Sequence, residues 1–167
     1  EDGQVFELER HHERSPFRWR SLHTPGHTRG HLCFWDQDRG HLITGDLILG
    51  MGTVLISPPE GDMSDYLESL QRMKSHAQGF IFPAHGPPVA TAQRLIEHYI
   101  AHRLQRERLI EATLETPQRV EDIVANVYSD TPKEVWHLAA KNVEAHLQRL
   151  CKLGRAERNE NLYIRRQ

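Results

Sequence analysis

Three short segments hold residues of the types and spacing that bind metal ions: His23-Thr24-Pro25-Gly26-His27-Thr28-Arg29-Gly30-His31, Thr44-Gly45-Asp46 and Pro83-Ala84-His85-Gly86-Pro87. Each puts a His or Asp at the end of a predicted strand, beside Gly or Pro residues that turn the chain sharply. Strand ends on a rigid sheet hold imidazole and carboxylate groups in place, as a metal site requires. Neutral imidazole supplies one nitrogen, whereas Asp can supply one oxygen to each of two ions. Hydroxide bound there would be a nucleophile near neutral pH, since zinc lowers the pKa of its water to about 7. Taken singly, each segment also fits a turn or a structural histidine; the combination carries the specificity.

The elements that must position these residues are short in the first part of the chain. Phe17–Leu22, His31–Trp35 and His41–Thr44 read as strands, and Val54-Leu55-Ile56 and Phe80-Ile81-Phe82 as two further apolar runs closed by Ser-Pro or Pro. Between those runs Met63, Tyr66, Leu67, Leu70 and Met73 recur at helical steps, with Asp62 or Ser64 as the cap. Strands, a helix and another strand imply a layered α/β arrangement. From Thr91 the pattern is helical: one stripe runs from Leu95 to Leu114 and ends near Thr116-Pro117, and a short helix covers 120–128. Thr131-Pro132-Lys133-Glu134 predicts a capping box opening a helix with Val135, Ala139, Val143, Leu147 and Leu150 on one face, stopping near Gly154. Ala156 to Ile164 then predicts a hairpin around Asn159-Glu160-Asn161. Three helices and a terminal hairpin describe a winged helix.

Composition bounds the reading. The chain has 167 residues with 26% charged and 38% hydrophobic residues, which excludes a disordered, collagen-like or disulfide-rich class. Cys33 and Cys151 lie far apart in apolar settings and have no partner of the kind a thiol enzyme requires. No run of about 18 apolar residues occurs and no signal peptide precedes the first strand-like run, so the expected location is the cytoplasm, without membrane contact. Nine of the 12 histidines precede Ala101. Residues 1–101 carry 9 Lys+Arg against 13 Asp+Glu (net −4), and residues 102–167 carry 12 against 10 (net +2), so the chain divides into unlike units, 1–100 and 101–167.

Taken together, His23-Thr24-Pro25-Gly26-His27-Thr28-Arg29-Gly30-His31, Thr44-Gly45-Asp46 and Pro83-Ala84-His85-Gly86-Pro87 resemble the third, fourth and fifth motifs of the metallo-beta-lactamase fold hydrolases. Gly45 to Thr53, Gly61 to Leu70 and the winged helix narrow the resemblance to the branch of beta-lactamase-like protein 2, which is similar to glyoxalase II in its catalytic half. The resemblance implies that His27 ligates one metal, Asp46 bridges two and His85 ligates the other, with His23 and His31 supporting them. It implies an α/β fold, the C-terminal half of an αββα sandwich followed by a winged helix. The implied chemistry is hydrolysis of a thioester or of a phosphodiester, including single-stranded RNA, with two zinc ions in the intact protein.

One departure matters. The family's first motif, His-x-His-x-Asp-His, has no counterpart, and His11-His12-Glu13-Arg14 has neither its spacing nor its ending. Each metal would keep two protein ligands, where catalytic zinc sites use three. The expectation is a chain that binds metal weakly or not at all and does not turn over alone. The start at Glu1 without Met, and about 100 residues where the catalytic fold needs nearer 200, fit a chain lacking its N-terminal half.

Toward the C-terminus, Arg149, Lys152, Arg155, Arg158, Arg165 and Arg166 face only Glu157 and Glu160. Arg155 and Arg158 are candidate contacts to an RNA substrate, and a nucleic-acid-binding winged-helix regulator is the alternative function. A solubilising face on a packing module is favoured over sequence-specific DNA binding, because the net charge is modest. Trp136 and Tyr163 could stack on bases, but a helical Trp beside a Leu-rich stripe reads better as core.

Overall fold

The computed structural model describes residues 2–8 and 17–166; the His11-His12-Glu13-Arg14 segment lies outside the described residues. A five-stranded sheet, in the order β1 (Val5–Leu8), β2 (Phe17–His23), β3 (Leu32–Asp36), β4 (Leu42–Gly45), β5 (Ile81–Pro83), is antiparallel except for the parallel pair β4–β5. The parallel step is bridged by a loop and α1 (Met63–Lys74). Asp62 caps α1 by accepting from the Ser64 and Asp65 N–H groups at 2.8 and 3.2 Å, which decides between the two expected caps.

Register sorts the strand residues onto two faces. Trp35, Leu42 and Ile81 align in one row, and that face packs against α1 and α2 (Ala92–Thr113) in a core with Leu22, Cys33, Tyr66, Leu70 and Ile96. Phe34, Ile43 and Phe82 align in the opposite row. Ile43, Phe80, Phe82 and Phe6 stay exposed, with Phe6 edge-on to Phe34 and Phe80 stacked on Phe82. An apolar sheet face of this kind is a surface built to be covered.

A second core gathers Ile110, Ile123, Val143, Leu147, Leu150, Ala156 and Tyr163 from α2, α3 (Val120–Val127), α4 (Trp136–Lys152) and the hairpin β6 (Ala156–Asn159)–β7 (Leu162–Arg165). Tyr163 also bridges to Gln118, adding a short third segment to the wing. α2 serves both cores without a break: Ile96 and Tyr99 point into the first and Ile110 into the second.

Two local expectations are corrected. Val54-Leu55-Ile56 is not a strand; Val54 and Ile56 are buried, yet their backbone bonds go to side chains of α2 and α4. The capping box does not form either. Pro132 is extended (ψ 136°), a single 3-10 turn (Lys133–Val135) precedes α4, and the Thr131 hydroxyl bonds to Asp130. β1 is an addition to the expected strands: Val5–Leu8 pairs along the edge of β2.

Candidate metal centre

Topology brings the three motif loops to one edge of the sheet. β4 and β5 are parallel neighbours, so the residues after both, Asp46 and His85, emerge at the same end. β2 and β3 run antiparallel, with His23 opposite Leu32, so the loop 24–31 joins them at that end too. Glycines allow the close approaches. Gly26 (φ +132°) passes so near the α1 backbone that a Cβ would sit 2.3 Å from the Tyr66 Cα. Gly50 donates its N–H to the His85 carbonyl at 2.8 Å, and a Cβ there would meet the Pro87 carbonyl at 2.3 Å. Gly50→Ala is therefore expected to destabilise the chain by about 1–3 kcal/mol and to separate the Asp46 and His85 loops. Chemical denaturation reads the first effect, and a wild-type midpoint would contradict this packing.

Asp46 stands between the two histidines. His27 Nε2 lies 4.0 Å from Asp46 Oδ2, and His85 Nε2 lies 3.5 Å from Asp46 Oδ1. Both separations exceed ordinary hydrogen-bond lengths. Two donors each about 2.1 Å from one tetrahedral ion stand about 3.4 Å apart, so the His85 pair has the span of a shared ion and the His27 pair is slightly wider. Nitrogen and carboxylate oxygen are also the donors zinc accepts. Among the described residues no three His, Cys, Asp or Glu side chains converge into a group that could hold an ion. The arrangement is two pairs sharing one carboxylate: the donor types and spacing fit a metal, and the number per ion falls short of three.

Hydrogen bonds orient the rings of the loop 24–31 and of His23. The Leu55 carbonyl can only accept, so His27 donates Nδ1–H to it at 2.9 Å, leaving Nε2 free to face Asp46. His31 Nε2 accepts the Asp46 backbone N–H at 3.2 Å, so its proton sits on Nδ1, 2.9 Å from the Thr24 hydroxyl. That hydroxyl donates onward to Cys33 Sγ, tying the loop, β3 and the Asp46 backbone together. Burial, followed by the neighbouring His27, pushes the His31 pKa below the ordinary imidazole value, which keeps the ring neutral as this acceptor role requires. His23 is turned to the Arg29 carbonyl at 2.7 Å. Burial drives the Cys33 thiol up to about 12, so it is no nucleophile.

A family profile for the metallo-beta-lactamase superfamily matches residues 4–85, and a profile for the beta-lactamase associated winged helix domain matches residues 120–165. The chain belongs to the metallo-beta-lactamase superfamily. It is 38% identical over 136 residues to a beta-lactamase-like protein 2 homolog of Caenorhabditis elegans, covering 80% of this chain and 45% of that protein. It is 33% identical over 118 residues to an atrochrysone carboxyl ACP thioesterase of Aspergillus fumigatus, covering 71% of this chain and 34% of that one. A crystal structure of a metallo-beta-lactamase family protein from Thermus thermophilus superposes with a TM-score of 0.81 at 25% identity, covering 99% of this chain and 53% of its own. The chain thus spans about a third to a half of the length of these relatives.

In this metallo-beta-lactamase chain α2 and the winged helix are joined to the segment that follows Asp46 by Arg103 and Asn142, which the sequence does not single out, and by Lys152, read there only as one of several basic residues. Arg103 is buried on α2 and donates to the Val54 carbonyl. Asn142 of α4 accepts the Ile56 N–H, and Lys152 pairs with Asp62. Arg103 and Glu107 lie in phase with Ile96, Tyr99 and Ile110, so charged residues on an apolar stripe were the available signal. Arg155 is held by Glu111 (2.9 Å) and Glu107 (3.2 Å), and Arg158 donates to the Glu160 carbonyl at 2.8 Å. Tyr163 is buried, and Trp136 donates to the Thr131 carbonyl at 3.0 Å. Among the described residues no helix is long and apolar enough to cross a membrane.

Proposed function

We propose that the chain is the C-terminal catalytic part of a metal-dependent hydrolase whose substrate is a thioester, with residues 1–100 supplying metal ligands and residues 101–167 the winged helix. The observation that carries this reading is Asp46, one oxygen turned to His27 and the other to His85. Two zinc ions held at these pairs would supply an activated water near neutral pH and positive charge for the oxyanion. The chain's own residues do the rest. His27 presents Nε2 because its Nδ1 proton is spent on Leu55, and Asp46 is fixed through its backbone while both carboxylate oxygens stay available.

The thioester is favoured over RNA by two observations. A cleft of about 290 Å³ opens beside Leu55, where Val135 and Leu138 form an apolar wall next to His102 and Arg106, which suits an acyl thioester with an anionic arm. Arg155 is engaged by carboxylates, so an RNA phosphate would have to compete with Glu107 and Glu111. The thioesterase name of one relative agrees with this choice. Free Cys33 and Cys151 support a reducing compartment such as the cytoplasm.

With two protein donors per ion, the chain alone is expected to take up zinc weakly. Isothermal titration should show no tight stoichiometric binding until a segment bearing His-x-His-x-Asp-His is supplied, a segment we expect to cover the Ile43, Phe80 and Phe82 face as well. Tight stoichiometric uptake by the chain alone would overturn that expectation. Assay of the complete protein on a thioester and on single-stranded RNA in parallel tests the substrate: thioester turnover is expected, and cleavage of RNA alone would overturn it.

A further inference from the structure

We infer that Asn142, on the winged helix, is a positioning residue for His27, acting through a single peptide group. The inference rests on His27 being a metal ligand. The Leu55 carbonyl that accepts from His27 Nδ1 belongs to the same peptide unit as the Ile56 N–H that donates to Asn142 Oδ1 at 3.0 Å. In a planar trans peptide the C=O and N–H point in opposite directions. Holding the N–H on α4 therefore aims the carbonyl at His27 on the other side.

The preceding peptide is pinned as well, since Arg103 donates to the Val54 carbonyl. Arg103 donates a second time, at 3.3 Å, to Asn142 Oδ1, so both partners of that oxygen are donors and the orientation of the amide follows. No strand ladder holds residues 53–56; Val54 and Ile56 pack into the first core, and Arg103 and Asn142 bond the backbone at those two residues. His27, the Leu55–Ile56 peptide, Asn142 and Arg103 form one connected path from the winged helix to the metal site. A module outside the sheet thereby sets which nitrogen of His27 is protonated and where the ring points.

Long-range proton–nitrogen NMR of the ¹⁵N-labelled chain reads the His27 tautomer without metal. The wild-type chain is expected to show the Nδ1–H form. Asn142→Leu, and Asn142→Ser should Leu disturb folding, are expected to lose that preference while still unfolding cooperatively. Asn142→Asp should retain it, because a carboxylate oxygen accepts from both Ile56 and Arg103. In the complete protein Asn142→Leu should weaken cobalt binding by about tenfold or more. A folded Asn142→Leu chain with the wild-type tautomer would overturn the inference. Unchanged cobalt affinity in His27→Ala would instead overturn the ligand reading beneath it, leaving the tautomer result to stand by itself.

Discussion

Asp46→Asn in the complete protein is expected to lower thioester turnover on the order of a thousandfold while leaving the fold intact. The two oxygens of Asp46 face different histidines, 4.0 Å from one and 3.5 Å from the other, and an amide keeps only one acceptor oxygen. Its NH2 group would point hydrogens at one of the two ion positions, and the negative charge that holds both cations would be gone. Stability should change by no more than about 0.5 kcal/mol, because the side chain is 38% exposed and the His31 contact uses the backbone N–H. Zinc stoichiometry measured with turnover and the unfolding midpoint separates the effects. Full activity in Asp46→Asn would show that Asp46 does not bridge.

Glu107→Ala is expected to destabilise the chain by about 3–5 kcal/mol. The carboxylate is 3% exposed and accepts from Arg149 at 2.5 Å, Arg155 at 3.2 Å and His146 at 3.4 Å, so its removal strands His146 and Arg149 between α2 and α4 and leaves Arg155 with Glu111 alone. Burial alone would raise the Glu107 pKa, but hydrogen bonds from His146 and Arg149 outweigh it and hold the carboxyl below its ordinary value. Burial lowers the His146 pKa, so that ring is neutral in the fold. The signs agree. In each case the unfolded chain binds the proton at higher pH than the folded one, so both contributions are present at neutral pH. The His146 part fades as the pH falls below the ordinary imidazole value, and the Glu107 part as it falls below the ordinary carboxylate value. Glu107→Gln should flatten the second step in a series of urea midpoints against pH; an unchanged profile would contradict this account.

Elements with a strong period were legible in the sequence. α1, α3, α4 and the hairpin carry their apolar spacing on their surface, and the Gly- and Pro-flanked loops announced the ends of β2, β4 and β5. Val54-Leu55-Ile56 was not legible, because three apolar residues look the same whether a neighbouring strand or a side chain satisfies their backbone. Arg103 and Asn142 made the difference, and they come 49 and 86 residues later in the chain than their partners Val54 and Ile56. Thr131 had the composition of a capping box, but extended Pro132 turned its hydroxyl toward Asp130. Arg155 read as free positive charge for the same reason: Glu107 and Glu111 stand 48 and 44 residues before it. What stayed hidden is pairing between groups distant in the chain, side chain to backbone as well as side chain to side chain, and in this molecule such pairing joins the winged helix to the segment that follows Asp46.

An anomalous-scattering map of the complete protein crystallised with zinc tests the central claim most directly. The account predicts two peaks flanking Asp46, one within about 2.0–2.2 Å of His27 Nε2 and a carboxylate oxygen, the other at the same distances from His85 Nε2 and the second oxygen. Zinc bound without contact to His27, Asp46 and His85 would contradict it.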